Sequence, residues 1–378
     1  MIDKNFDTII IGAGISGLAC AKRLQDFGKD FLIISENIGG RILISKDGTA
    51  NYGAFFVCSD YNYVNQYVTL DSKIKLGDFC FHEKDSKYAL FETKFLLYTF
   101  QFIKIIRILH RFRKAFRKFR KTSENISQKK AIENDPFLYE LYMTNAADFV
   151  KKHGIESGTE TYLSKALYST TFSNIHEMNA FSYLQFLLPL ITPIYTFTFE
   201  KEKMTGSFND KILLDRVDNI EYKNKRYLIK LKNNKFSTKT VVLATDINWS
   251  KKFAGIKKTN RPVSTHMYHI KGTPKQMIAK KKYHLFSTNN NVQAVADLND
   301  GTYLFYYKEK KPSLDNYFSR YKIIDSHFWN PAGTINGHEL IETNRGNNMY
   351  LIGDFNIAGL EESYITGLYC ANQIIKSD

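Results

Sequence analysis

Gly12, Gly14 and Gly17 stand in the order G-x-G-x-x-G, between an apolar run from Thr8 to Ile11 and a segment that places Leu18, Ala21 and Leu24 on one helical face. This spacing suits a phosphate. The first glycine permits a tight strand-to-helix turn, the second lets the backbone approach a pyrophosphate, and the third lets the helix lie close on the sheet. The helix start, at Ile15 and Ser16, adds free amide groups and the positive end of a dipole. A second apolar run, Phe31 to Ile34, ends at Ser35 and Glu36. An acid there, 19 residues beyond Gly17, is placed to accept a ribose hydroxyl. By strict spacing from Gly12 the same position falls on Ser35, so both are candidates. A glycine motif alone is a weak signal. Preceded by a strand and opening a helix, it points to a bound dinucleotide.

Little else in the chain has the spacing of a catalytic set. Cys20, Cys58, Cys80 and Cys370 form no CxxC pair and no other metal-ligand spacing, so they read as free thiols in a reducing compartment, and no metal is expected. No triad of nucleophile, base and acid is visible. Chemistry carried by a cofactor needs neither.

Further blocks extend the first motif. "NIGGRI" places Gly39, Gly40 and Arg41 just past the second strand, and "TANYGAFF" follows at 49–56. Near the C-terminus, "NMYLIGDFNIAGLEESYITGLYCANQII" reads as a buried strand, Gly353-Asp354, a loop and a helix. Together these resemble the flavin amine oxidase, phytoene desaturase and protoporphyrinogen oxidase superfamily, with Asn51 where an acid is common. The resemblance implies FAD, and since no cysteine sits in "HFWNPAGTINGHE" (327–339), near the region where some members of the family attach it covalently, a noncovalent one is expected. Gly39, Gly40 and Arg41 would lie along its pyrophosphate and near the flavin, and Gly353 would also contact the pyrophosphate. Asp354 would bond the ribityl chain, and the helix carrying Ser363 and Tyr364 would point its start at the flavin. Val217, in "ILLDRVDNIEYK", would meet adenine through its backbone.

The resemblance does not extend to the substrate-facing segments. Where amine oxidases often carry a lysine near the flavin, this chain has Thr265 or His266, with Lys271 too far along. Weak catalytic candidates are therefore His266, Tyr268 and Trp329. Tyr268, Tyr303, Phe305 and Tyr307 are candidates for an aromatic lining, against the plainer reading that they pack a sheet.

These motifs require an α/β fold. The expected architecture is a doubly wound Rossmann-type FAD-binding domain assembled from residues 1–60, 205–260 and 340–378. An α+β substrate domain, 61–204 and 261–339, is inserted between those segments. The 378 residues supply ample core for both, and 43% apolar with 24% charged residues excludes wholesale disorder. No second G-x-G-x-x-G occurs, which disfavours a reductase with its own nicotinamide domain. The expected activity is hydride transfer from an organic substrate, an amine or an apolar compound, to the flavin. Alternatives are a desaturase, isomerase or dehydroxylase of a polyprenoid or other lipid at a membrane surface, and a flavin-binding protein without turnover.

The net charge of +15 is concentrated. Residues 94–130 hold twelve Lys and Arg against one acid, Glu124, which leaves about +4 for the rest of the chain. Within 94–121, Phe102, Ile105, Leu109, Phe112, Phe116 and Phe119 recur at helical spacing, with Lys104, Arg107, Arg111, Lys114, Lys118 and Lys121 on the other side. Such a helix can pack on a core with its basic face solvated. It can also lie on an anionic membrane. Binding of nucleic acid is the weakest reading, since no nucleic-acid module surrounds it. With no signal peptide and no apolar run long enough to span a bilayer, the expected location is cytoplasmic, with peripheral membrane contact through this helix.

Overall fold

The computed structural model describes residues 4–83 and 86–377; the outermost limits of the expected FAD-binding domain, 1–3 and 378, lie outside the described residues. An eight-stranded sheet is built around β1 (Lys4–Gly14). Its path runs Asn344–Gly346, Met349–Leu351, Lys235–Leu243, β1, β2 (Phe31–Gly39) and Ile212–Leu214. The five strands from Met349–Leu351 to Ile212–Leu214 are mutually parallel, in register through Val241↔Met349, Ile9↔Val241, Ile9↔Leu32 and Ile33↔Ile212. The segment 212–246 reads from sequence as three strands. It forms four, because the chain leaves Ile212–Leu214 on the sheet edge before turning into the hairpin Val217–Lys223 and Arg226–Leu231.

Both faces of this sheet are covered, which is why β1 reads as an unbroken apolar run. Ile10 packs on one side with α1 (Ile15–Asp26) and the C-terminal helix Leu360–Ser377. Ile9 and Ile11 pack on the other with Val217, Ile220 and Ile229 of the hairpin. The two helices sit close because Gly367 faces Ser16: a Cβ at Gly367 would lie 2.2 Å from the Ser16 carbonyl oxygen.

A second, seven-stranded sheet begins with Phe318–Asn336, Arg261–Pro274, Thr302–Tyr307 and Val292–Asp297. It continues through Tyr283–Phe286, Phe79–Glu83 and Ser86–Ala89. A helical layer lies beside it. Its longest member is α2 (Thr99–Thr122), which starts later than the pattern over 94–121 indicates, because Thr93–Tyr98 form 3-10 turns. The α2 stripe is core. Leu109, Phe112 and Phe116 are at most 1% exposed, and Phe112, Phe116 and Phe119 all meet the edge of Phe181. This stripe therefore has no face left for a membrane, and the basic residues opposite it are the solvated side. No helix of the described residues is long and apolar enough to cross a membrane.

Candidate functional site

One cavity of about 1190 Å³ joins the two sheets. At one end lies the turn from β1 into α1. Gly12 adopts a positive φ of 107°, and a Cβ there would stand 2.6 Å from the Ala244 carbonyl oxygen. A Cβ on Gly17 would strike the Gly12 carbonyl at 2.0 Å, so Gly17 is spent on helix packing and does not line the cavity. Gly14 differs: nothing lies within 4 Å of the Cβ position, and it opens on the cavity with Ile15 and Ser16. The start of α1 has no side-chain cap and no acid in its first turn. Its orphan amides therefore face the cavity as an anion site.

Ser35 and Glu36, midway along β2, which runs on to Gly39 past the expected end of the strand, line the same end with Val217. Ser35 Oγ already donates to the Asn37 carbonyl at 2.8 Å. Glu36 is exposed and pairs loosely with Arg216 at 3.5 Å, which leaves its carboxylate the freer of the two to accept a sugar hydroxyl. Gly39, Gly40, Arg41, Gly353, Asp354 and Ser363 continue the wall. Gly40 packs on Gly14, and the Gly353 amide donates to Thr366 Oγ1 at 2.9 Å, so the closing loop is tied to its own helix. Arg41 Nη1 also donates to the Ala332 carbonyl at 3.1 Å.

Toward its other end the cavity is walled by Phe55, Phe56, Phe79, Phe81, Tyr283 and Tyr306. Trp329 stands at the junction, its ring near Gly53 and its Nε1 donating to the Tyr52 carbonyl at 3.2 Å; the Tyr306 hydroxyl donates to the same oxygen at 3.1 Å. The acids lining the cavity, Glu36, Asp215, Asp246 and Asp354, all lie at the end that holds the glycine turn. The aromatic arm has none among the described residues.

Several sequence expectations fall elsewhere. His266 and Tyr268 do not line the cavity: His266 stacks on Phe328 at 4.2 Å, and the Tyr268 hydroxyl donates to the Lys310 carbonyl. Tyr268, Tyr303, Phe305 and Tyr307 all belong to the core on the far side of the sheet. Residues of a strand alternate between faces. It is the alternate set, Met267, Leu304 and Tyr306, that packs with Trp329 on the near side. Tyr364 is likewise turned away, stacking on Tyr63 at 5.3 Å, because one step along a helix from Ser363 rotates the side chain off the cavity.

Four features escaped the sequence, three of them around or beside the cavity. His327 lines the cavity against Trp329, 4.2 Å between ring centroids, and burial lowers its pKa, so the imidazole is neutral near pH 7 and can accept a proton. It lies two residues before Trp329 in a segment with an aromatic signal but no motif. Glu362, at the first turn of the C-terminal helix, is fully buried against Arg120 of α2, Oε1 to Nε at 2.7 Å. Burial opposes the Arg120 charge, yet Glu362 outweighs it and holds the guanidinium above its ordinary pKa. Neighbouring Glu361 accepts the backbone amides of Asn62 and Val64, at 2.7 and 3.0 Å.

Outside the cavity, Cys80, His82 and His284 meet on the other face of the second sheet, with ligand atoms within 4.8 Å of one another, a grouping invisible in cysteine spacing. His82 Nε2 and His284 Nδ1 share a hydrogen bond of 2.9 Å, and burial pushes both pKa values down, to about 3 and about 4. The four cysteines are buried and unpaired.

Comparison with known proteins agrees with this geometry at the level of fold. Residues 10–69 match the model of an NAD(P)-binding Rossmann-like domain. Putrescine oxidase in its putrescine-bound wild-type structure superposes with a TM-score of 0.67 at 12% identity, over 98% of this chain and 99% of the other. Cyclohexylamine oxidase from Brevibacterium oxydans IH-35A gives 0.64 at 15%, over 98% and 99%. A CLA-producing fatty acid isomerase from P. acnes gives 0.68 at 13%, over 98% of each chain. The fold is the one these structures share, a Rossmann-type α/β domain joined to an α+β unit, as the motifs require.

Proposed function

We propose that this chain is an FAD-dependent oxidoreductase that holds its flavin noncovalently and oxidises a neutral, largely apolar organic substrate. The observation that carries this reading is the continuity of one cavity, from the uncapped start of α1 to an aromatic arm. Drug-sized ligands fill cavities of about 300–1,000 Å³, so about 1190 Å³ leaves room for a dinucleotide with a second molecule beside it. The residues present fit the group. Gly14 leaves open space for a pyrophosphate, the α1 amides supply donors, Glu36 offers a sugar acceptor, and Arg41 and Asp354 supply charge along the wall.

When bound, the flavin would supply the hydride acceptor, and oxygen or another external electron acceptor would reoxidise it. The chain's own part is position, dryness and proton handling. Trp329 and Tyr306 wall the aromatic arm, held by the one Tyr52 carbonyl. His327 can take a proton at the junction. A cationic amine entering the arm meets no carboxylate there, and a buried ammonium without a counter-charge is strongly disfavoured. That favours an apolar substrate over a diamine. It also supports the second reading, a desaturase or isomerase acting on a lipid. Anaerobic mixing of the flavoprotein with neutral lipids and with amines separates these readings: bleaching of the flavin by the former supports the proposal. Bleaching by amines alone overturns the substrate class, and no bleaching by any substrate favours a binder without turnover.

A further inference from the structure

Phe91, Leu96, Leu97, Phe100 and Ile103 are 68, 70, 76, 82 and 42% exposed. They form an apolar tip made of the turn at Phe91, the 3-10 turns Thr93–Tyr98 and the start of α2 through Ile103. The tip lies on a different side of α2 from the buried stripe. Phe100 and Ile103 lead, at spacings of three and four, into Arg107, Arg111, Lys114 and Lys118, which are all exposed. None of those four, nor Lys104 beside them, forms an ion pair among the described residues, whereas Arg117 and Arg120 do. One outer face of a single helix thus begins apolar and becomes cationic over about 22 Å from Ile103 to Lys118. Phe91 also lines the cavity, with Leu90, Leu76 and Phe102 beside it, so the aromatic arm ends against this tip.

We propose that residues 91–103 dip into the interfacial layer of an anionic bilayer while the basic face of α2 lies along its headgroups, setting the end of the cavity against the lipid. The tip supplies the large apolar side chains that lodge about 5–10 Å deep at a membrane interface. The basic row supplies the attraction to anionic lipid. Charge selects the occupant. A second copy of this chain would bring two unpaired cationic rows together, and a nucleic acid would leave the tip in water. Docking rests on the tip and the charge; what passes from the lipid into the cavity rests on the oxidoreductase reading.

The test is co-sedimentation of the full chain with vesicles of equimolar phosphatidylcholine and phosphatidylglycerol. The variant Leu96→Ser/Leu97→Ser/Phe100→Ser and the variant Arg107→Glu/Arg111→Glu/Lys114→Glu/Lys118→Glu should each lose about tenfold or more in apparent affinity. Melting temperature and flavin content should stay at wild-type values, since every altered side chain is exposed. Pure phosphatidylcholine should bind wild type about tenfold more weakly. Leu97→Trp gives a reading independent of any loss of fold: its added fluorescence should be quenched by brominated acyl chains. Wild type that stays in the supernatant, a tip variant that sediments unchanged, or added fluorescence in Leu97→Trp that is insensitive to bromine overturns the proposal. So does a concentration-dependent dimer that the tip variant abolishes. Wild type that sediments but carries no flavin, even after reconstitution with excess FAD, counts against the oxidoreductase reading and leaves docking standing.

Discussion

Arg41 and Asp354 grip each other with two charge-assisted hydrogen bonds, Nη1 to Oδ2 at 2.7 Å and Nη2 to Oδ1 at 2.6 Å, across 313 residues of sequence. The pair ties the loop after β2 to the loop before the C-terminal helix, and both residues line the glycine-turn end of the cavity. Its carboxylate is therefore already engaged by protein, and any bond to a ribityl hydroxyl uses the remaining lone pairs.

Burial alone would raise the Asp354 pKa, but the Arg41 charge and its hydrogen bonds prevail and hold it below the ordinary carboxylate value. A lowered folded-state pKa contributes stability that is complete above the unfolded value of about 3.9 and is lost as pH falls through the folded value. Asp354→Asn should therefore be less stable than wild type near pH 7, with the gap closing below about pH 4. Asp354→Ala should weaken FAD binding by about ten- to a hundredfold, the equivalent of about 1.5–3 kcal/mol for a charge-assisted hydrogen bond. Urea titrations across pH, with flavin fluorescence titrations beside them, check both. A stability gap that persists unchanged at pH 3 would show that this pair is not its source.

A second prediction concerns Arg120 and Glu362, whose side chains are 8% and 0% exposed. Removing one member of a buried pair leaves an uncompensated charge and destabilises by about 3–5 kcal/mol. Glu362 Oε2 has no hydrogen-bond partner even with Arg120 in place, so Arg120→Met should fall at the upper end. Arg120→Met/Glu362→Leu should recover most of the loss. A double variant that loses as much as the sum of the two single variants would mean that the residues do not act as a pair.

The third prediction separates the two sides of α2. Phe116→Ala should destabilise by about 3–5 kcal/mol, because the ring is 1% exposed and meets Phe112, Phe119 and Phe181. Leu97→Ser, at 76% exposure, should change stability by less than about 0.5 kcal/mol. Urea midpoints for the two variants decide it, and equal losses would contradict the assignment of stripe to core and tip to surface.

What could be read in the chain follows from where the physical constraint lies. Gly17 answers to a contact within the strand-turn-helix unit itself, 2.0 Å from the Gly12 carbonyl oxygen if a Cβ is added, and Gly12 to the positive φ of the turn, so the turn is visible in the residues that make it, whereas the close approach of Gly12 to Ala244 is tertiary. The α2 stripe was visible as periodicity, but an apolar stripe has the same spacing against Phe181 as against lipid. Tyr268 and Tyr307 show the same ambiguity in strands: alternation marks two faces without saying which one meets the cavity, and the second sheet turned these residues away from it. The cluster of His82 with His284, 202 residues apart, and the pair of Arg120 with Glu362, 242 apart, depend on tertiary contacts that no local pattern carries.

The central claim is a noncovalent FAD held between the start of α1 and the Gly353–Asp354 loop. It is tested most directly by acid precipitation of the purified protein and mass spectrometry of the supernatant. A yellow supernatant with the mass of FAD, in near-stoichiometric yield, is the expected result. Flavin retained on the pellet, FMN in place of FAD, or no flavin after reconstitution with excess FAD would contradict it.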